Sequence, residues 1–192
     1  MGYMLSHYKF AAKMIGEDTY IMDVCCNDGL GSVLLAEVAK KVIALDIDPD
    51  AIASAKRAFA NKNIVFLNEV FFKFTTGKKF DGIVSFDLVE HIYKEREHEY
   101  FEAISKNLNT NGVAIIGTPN ETSKKYGSER GSIGHVNYFT HERLDEIMKK
   151  YFHSVFMFSA NDELIHTGFY PMAHYLIAMG VCRKSKQYKE NA

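Results

Sequence analysis

Two acids that end apolar runs, and two histidines further along, are the residues whose types and spacing carry the clearest chemistry. The run YIMDV at 20–24 leads into CCNDGLGS, where Gly29 and Gly31 let the backbone turn tightly and approach a ligand. Tight strand-to-helix turns need glycine in any case, so the loop alone does not establish a ligand. The run KVIALDID at 41–48 places Asp46 where a carboxylate can accept both hydroxyls of a ribose. Asp48, with Pro49 behind it, fits the cap of the next helix, which leaves Asp46 for a ligand. A dinucleotide site needs GxGxxG to seat its pyrophosphate, and the loop reads NDGLGS instead. Asp28 there would repel a diphosphate but suits a cationic amino group.

Proton transfer would fall to a second group of residues. DLVEHI at 87–92 follows an apolar run, and His91 is the first candidate base, with Glu90 or Asp87 orienting it or touching the cofactor. The competing reading has Glu90 and His91 holding a pocket wall. In GHVNYF at 134–139, His135 is the second candidate base and Tyr138 an acceptor-pocket residue, although His135 can equally anchor its loop. Arg130, with Lys124 and Lys125, offers contacts for an anionic acceptor, and Tyr8 offers a wall from the N-terminal side. No HxxxH or similar spacing supports a metal site, and none is expected. Nucleophilic cysteine chemistry is not expected from Cys25 and Cys26 either.

The elements that must position these groups alternate. Apolar runs at 20–26, 41–48, 63–67, 80–86 and 112–118 alternate with helical patterns at 30–41, 49–60, 95–108 and 141–152, after a helix at 3–15. Such alternation predicts parallel strands joined by right-handed crossovers, with helices on both faces of the sheet. Gly112 is expected at positive φ after the fourth crossover helix. Two more β-like runs lie near 153–160 and 173–182. One domain over 1–192 is expected, with the N-terminal helix at 1–18 and the loop at 119–138 as lid elements. The 23 basic and 24 acidic side chains give a net charge of -1, which disfavours a large nucleic-acid footprint. Three cysteines form no disulfide framework, and the first twenty residues read as neither signal peptide nor membrane span. A cytoplasmic location, no membrane association and an undefined oligomeric state follow as expectations.

DVCCNDGLGS, ALDIDPDAIASAK, FDGIVSFDLVEHI and NGVAIIGTPN, in that order, resemble the motif series of class I S-adenosylmethionine (SAM) dependent methyltransferases. The sequence is most similar to their small-molecule branch, which includes ubiquinone-type and sugar O-methyltransferases. The resemblance implies a doubly wound Rossmann-like α/β sheet of seven strands, the last antiparallel. It assigns Asp23 and the NDGLG loop to the methionine part of SAM, Asp46 to the ribose, and the end of the third strand to adenine, through Glu69 and Val70. Cys25, Asn27, Gly29, Ile47 and Asp87 complete the implied cofactor-binding set. Asn27 stands where the family usually has glycine, and the adenine-side register in LNEVFF is shifted from the usual pattern. The expected function is methyl transfer from SAM to a small-molecule acceptor, at oxygen ahead of nitrogen or carbon. A catalytically inert SAM or nucleotide-binding module is the alternative, and an NAD-dependent oxidoreductase stands behind it.

Overall fold

The computed structural model describes residues 2–60, 62–127 and 133–185. Eight strands form one sheet in the order β3-β2-β1-β4-β5-β8-β6-β7. The strands are β1 (Tyr20–Val24), β2 (Lys41–Asp46), β3 (Ile64–Asn68), β4 (Phe80–Phe86), β5 (Leu108–Pro119), β6 (Phe152–Asn161), β7 (Leu164–His166) and β8 (Tyr175–Arg183). The first five are mutually parallel, and β8 runs antiparallel to both β5 and β6. The helices are α1 (Gly2–Ile15), α2 (Leu30–Ala36), α3 (Pro49–Ala58), α4 (Glu97–Asn107) and α5 (His141–Tyr151). Order reverses at β1 and β4, whose neighbouring carboxyl ends define the crevice where such sheets bind ligands.

The continuous apolar runs are explained by burial on both sheet faces. Side chains alternate across a strand, so Ile21 and Met22, or Val84 and Ile83, face opposite ways. Ile21, Val42, Ala44, Val84 and Ile115 join Tyr8 and Ala12 of α1, Leu35 of α2 and Ile52 of α3 in one core. Met22, Leu45, Ile83, Ala114 and Ile116 join Tyr100 and Ile104 of α4 and Leu144 and Met148 of α5 in the other. The central strands β1 and β4, buried on both faces, therefore show no exposed polar face. Burying each such side chain stabilises by roughly 1.5–3 kcal/mol relative to exposure.

Local signals hold where a cap is involved. Asp48 Oδ1 accepts the N–H groups of Asp50 and Ala51, and Thr140 Oγ1 accepts that of Arg143. Two expectations need correction. The sheet has eight strands rather than seven, because Asp162 turns left-handed (φ 50°) and folds Leu164–His166 back onto the end of β6. Three residues are too few to show a period in sequence. Gly112 does not take positive φ; Leu108 leaves α4 in an extended conformation, so β5 starts four residues earlier. The 119–138 stretch is anchored at both ends. Buried Asn120 donates to the carbonyls of Tyr170 and Ala173, and buried Asn137 and Phe139 hold the far end. Among the described residues no helix is long and apolar enough to cross a membrane.

Candidate active site

Two neighbouring strands leave the sheet by the same device. Cys25 beyond β1 and Asp87 beyond β4 are the first residues past their strands, and both are left-handed, with φ 65° and 53°. Such geometry costs a non-glycine residue roughly 1–2 kcal/mol and concentrates at functional sites. Between them lies a cavity of about 260 Å³. Met4, Leu5 and Tyr8 of α1 cover it, Cys25, Asn27, Asp28 and Gly31 form its loop wall, and Phe86 and Asp87 close the far side.

The loop wall is held from beneath. Asn27, left-handed at φ 49° as its residue type allows, donates its N–H to Asp46 Oδ2 at 2.8 Å. Asp48 N–H reaches the other oxygen, Oδ1, at 2.9 Å. Asp46 is thus not left wholly to a ligand, as its sequence position suggested; it also ties the β1 loop to the end of β2. Each oxygen keeps a second lone pair for a hydroxyl donor. A Cβ on Gly31 would stand 2.3 Å from the Tyr8 ring, so glycine here is what lets α1 lie on the loop. Gly29 (φ 82°) is buried and faces Phe66 and Ala55, not the cavity, so packing accounts for it better than direct ligand approach.

Asp23 is fully buried, accepting from Tyr8 Oη at 3.1 Å and Ser32 Oγ at 2.6 Å. Burial pushes its carboxyl up to about 7, against the pull of those two donors. Both of its oxygens are engaged by these two donors. Tyr8 also lines this cavity. Burial and the neighbouring Asp46 push the Cys25 thiol up to about 12, so it stays protonated and unreactive. Beyond Asp46, Ile47 is 71% exposed, and Val70, next to Glu69, is 41% exposed. Glu69 is exposed beside them, its N–H donated to the Asp46 carbonyl.

A second cavity, of about 440 Å³, lies across Asp87. It is lined by His7, Asp87, Pro119, His135, Ala160, Asp162, His174 and Tyr175. Asp87 N–H points to the Tyr175 hydroxyl at 3.3 Å, and Tyr175 stacks on His7 with centroids 4.6 Å apart. Burial lowers His7 to about 4, so that imidazole is neutral. Burial raises Asp87 above its ordinary value.

The structure brings His91 and His135 together. His135 stands on the cavity wall; exposed His91 lies behind it, with ring centroids 4.8 Å apart and nearly perpendicular. His91 Nδ1 donates to the Gly134 carbonyl at 3.0 Å, a partner that can only accept. Burial and then His91 lower His135, which keeps it neutral. Glu90, fully buried, accepts from Thr118 Oγ1 at 3.1 Å, while its carbonyl accepts from Val136 and Asn137. Burial and then Asp87 push its carboxyl up to about 8. One Glu90 oxygen has no partner among the described residues. Ligand atoms of Glu90, His91 and His135 lie within 4.8 Å of one another, a donor set that can hold a cation despite the sequence spacing.

Tyr138 sits beside His135, at 5.6 Å between rings, but is not part of the cavity wall, because its carbonyl is held by Arg143 and its ring lies under Lys124. Arg130 lies outside the described residues. Asp162, His174 and Tyr175 were not singled out from sequence. They come from the β6–β7 turn and the start of β8, where the only signal was the end of a β-like run.

Comparison with known proteins agrees with this geometry. A family model described as a methyltransferase domain matches residues 2–151. A ubiquinone biosynthesis O-methyltransferase of Rickettsia conorii is 31% identical over 109 residues, 55% of this chain and 37% of that protein. The chain spans less than half the length of the curated relatives it matches. The fold matches an S-adenosylmethionine-dependent methyltransferase from Clostridium acetobutylicum with TM-score 0.75 at 13% identity, over 94% of this chain and 92% of the other. It also matches the N-methyltransferase NodS from Bradyrhizobium japonicum in complex with S-adenosyl-L-homocysteine (SAH), with TM-score 0.71 at 16% identity, over 95% and 86%.

Proposed function

We propose, from the premise that this chain belongs to the class I SAM-dependent methyltransferase family, that it methylates an oxygen of a small-molecule acceptor held beside Asp87. The cofactor is SAM, and the smaller cavity suits it: its loop wall includes Gly31 and Asn27, and Asn27 is tied to the carboxylate Asp46, next to the exposed Ile47. When bound, SAM supplies an electrophilic methyl group on a sulfonium. Asp46, with its spare lone pairs, holds the ribose, while Ile47 and Val70 flank the adenine with Glu69 at its edge. Cys25, Asn27 and Asp87 line the methionine end, and Asp23 fixes that end through Tyr8 and Ser32.

The observation that carries the proposal is Asp87, which lines both cavities and so marks where donor and acceptor meet. Methyl transfer depends chiefly on approach and alignment, which can supply roughly 7–11 kcal/mol in favourable models. Tyr175 and the Gly117 carbonyl, both met by Asp87 N–H, set that residue's orientation. His135, neutral and on the wall, accepts the acceptor's hydroxyl proton, with His91 behind it. We take α1 and the 119–138 stretch as covering elements, and chain 1–192 as one methyltransferase domain. The curated relatives named for O-methylation support oxygen; the rest of their activity belongs to proteins more than twice as long as the matched stretch.

The test is calorimetric titration with SAM, SAH and NAD, followed by methyl transfer from labelled SAM to phenols, alcohols and amines. SAH binding with label on a hydroxyl supports the proposal. SAH binding with label only on amines overturns the oxygen assignment, and binding without turnover favours an inert module. A second reading of the histidine cluster is favoured by the unpartnered Glu90 oxygen: Glu90, His91 and His135 hold a divalent cation that polarises the acceptor oxygen. Loss of turnover in chelator, restored by Mg²⁺, Mn²⁺ or Zn²⁺, selects that reading; indifference to chelator selects the base.

A further inference from the structure

Beyond His174 lies a third cavity, of about 360 Å³, which the methyl-transfer chemistry does not use. His174 lines both it and the proposed acceptor cavity, and the consecutive residues Asn161 and Asp162 line one each. Its walls are Thr122, Ser123, Lys125 and Tyr126 on one side and Pro171, Met172 and Ala173 on the other.

The two walls are fastened together. Ser123 Oγ donates to the His174 carbonyl at 3.0 Å, and Asn120 Nδ2 donates to the carbonyls of Tyr170 and Ala173 at 2.7 and 3.0 Å. Asn161 Nδ2 donates to the Met172 carbonyl, and its Oδ1 accepts the His174 N–H. A 3-10 helix at Glu121–Tyr126 is thus locked to the segment before β8, and the cleft between them is built in rather than left by loose packing.

The chemistry of the cleft is mixed in a particular way. Tyr126 is 75% exposed and Met172 66% exposed, so each wall presents a large apolar side chain. The Lys125 ammonium lies 4.8 Å from the Tyr126 ring centre, at the edge of that apolar surface. The apolar surface of Tyr126, Pro171 and Met172, with the Lys125 ammonium at its rim and the polar groups of Thr122, Asn161 and His174 in the same lining, complements an aromatic or alkyl group that carries an anion. We infer that this cleft is a distal binding site for an aryl or alkyl group bearing an anionic substituent, continuing the acceptor past His174. Its link to the acceptor rests on the reading of the larger cavity given above.

Fluorescence titration of the full chain with anilinonaphthalene sulfonate, an aromatic anion, tests the site directly. With saturating SAH present, one saturable site is expected. Lys125→Glu should weaken it at least about fivefold, as expected for reversing a charge beside a sulfonate. Lys124→Glu, whose ammonium lies over Tyr138 instead, should change it less than about twofold. Both variants are at exposed positions, and an unchanged melting temperature confirms folding. No saturable binding, equal loss in the two variants, insensitivity to Lys125→Glu, or displacement by SAH each overturns the inference. Failure of SAH itself to bind would count against the cofactor reading, while the sulfonate titration would still decide the cleft.

Discussion

Asn27 N–H lies 2.8 Å from Asp46 Oδ2, so one carboxylate at the end of β2 fixes the backbone of the loop that follows β1. The residue assigned to the ribose is also the residue that shapes the cofactor cavity. Asp46→Asn would keep the size but place an amide where two N–H groups require acceptors. The expected outcome is a loss of SAH affinity of about tenfold to a hundredfold, since one group or the other is left unpaired. Calorimetry at neutral pH checks it, and an affinity within twofold of wild type would sink the assignment.

Tyr8 gives a second prediction. Removing its hydroxyl strips one donor from the fully buried Asp23. Tyr8→Phe should cost on the order of 1–3 kcal/mol of stability. Asp23 titrates near 7, so the loss should be larger at pH 8.5, where the carboxylate is ionised, than at pH 5.5. Melting curves at the two pH values decide it; a difference of the opposite sign excludes the Tyr8–Asp23 bond as its source.

His135 and His91 should separate in turnover. His135→Asn is expected to lower turnover by about a hundredfold to ten-thousandfold, with SAH affinity unchanged, because it removes a group on the acceptor side. His91→Asn should cost less if its task is to support His135, and more nearly the same if the two share a cation. Steady-state rates with and without chelator distinguish these outcomes.

Glu90 carries a pH signature. Its folded carboxyl is raised from 4.5 to about 8, so its contribution to stability is fully present below about 4.5 and lost as pH rises through about 8. Glu90→Gln keeps an acceptor for Thr118 but cannot ionise. In chelator, the variant should match wild type at pH 5 and exceed it by on the order of 2 kcal/mol at pH 9. Parallel stability–pH curves for the two proteins from pH 5 to 9 would show that the Glu90 carboxyl titrates no higher in the fold than in the unfolded chain, and would sink the prediction.

The donor half of the molecule was legible because it is local. The glycine loop, Asp46 and the cap at Asp48 each lie within a few residues of the strand end that positions them. What sequence missed depends on long-range pairing. Tyr175 reaches Asp87 across 88 residues, and His174 and Asp162 meet the site only because β8 turns back beside β5. Asp23 was legible as a motif residue but not as a buried one, since its depth is set by Tyr8 descending from α1. His91 outranked His135 by proximity to β4, yet its ring is turned to the Gly134 carbonyl.

The reversal of β8 divides the labour along the chain. On the proposed function, strands β1 to β3 deliver the donor side, whereas the antiparallel return brings residues 160–175 to the same edge from the far end of the sequence. Changes within that late segment can alter which acceptor is taken without touching Asp46 or the glycine loop. The fold thus lets acceptor choice drift while the methyl donor stays constant.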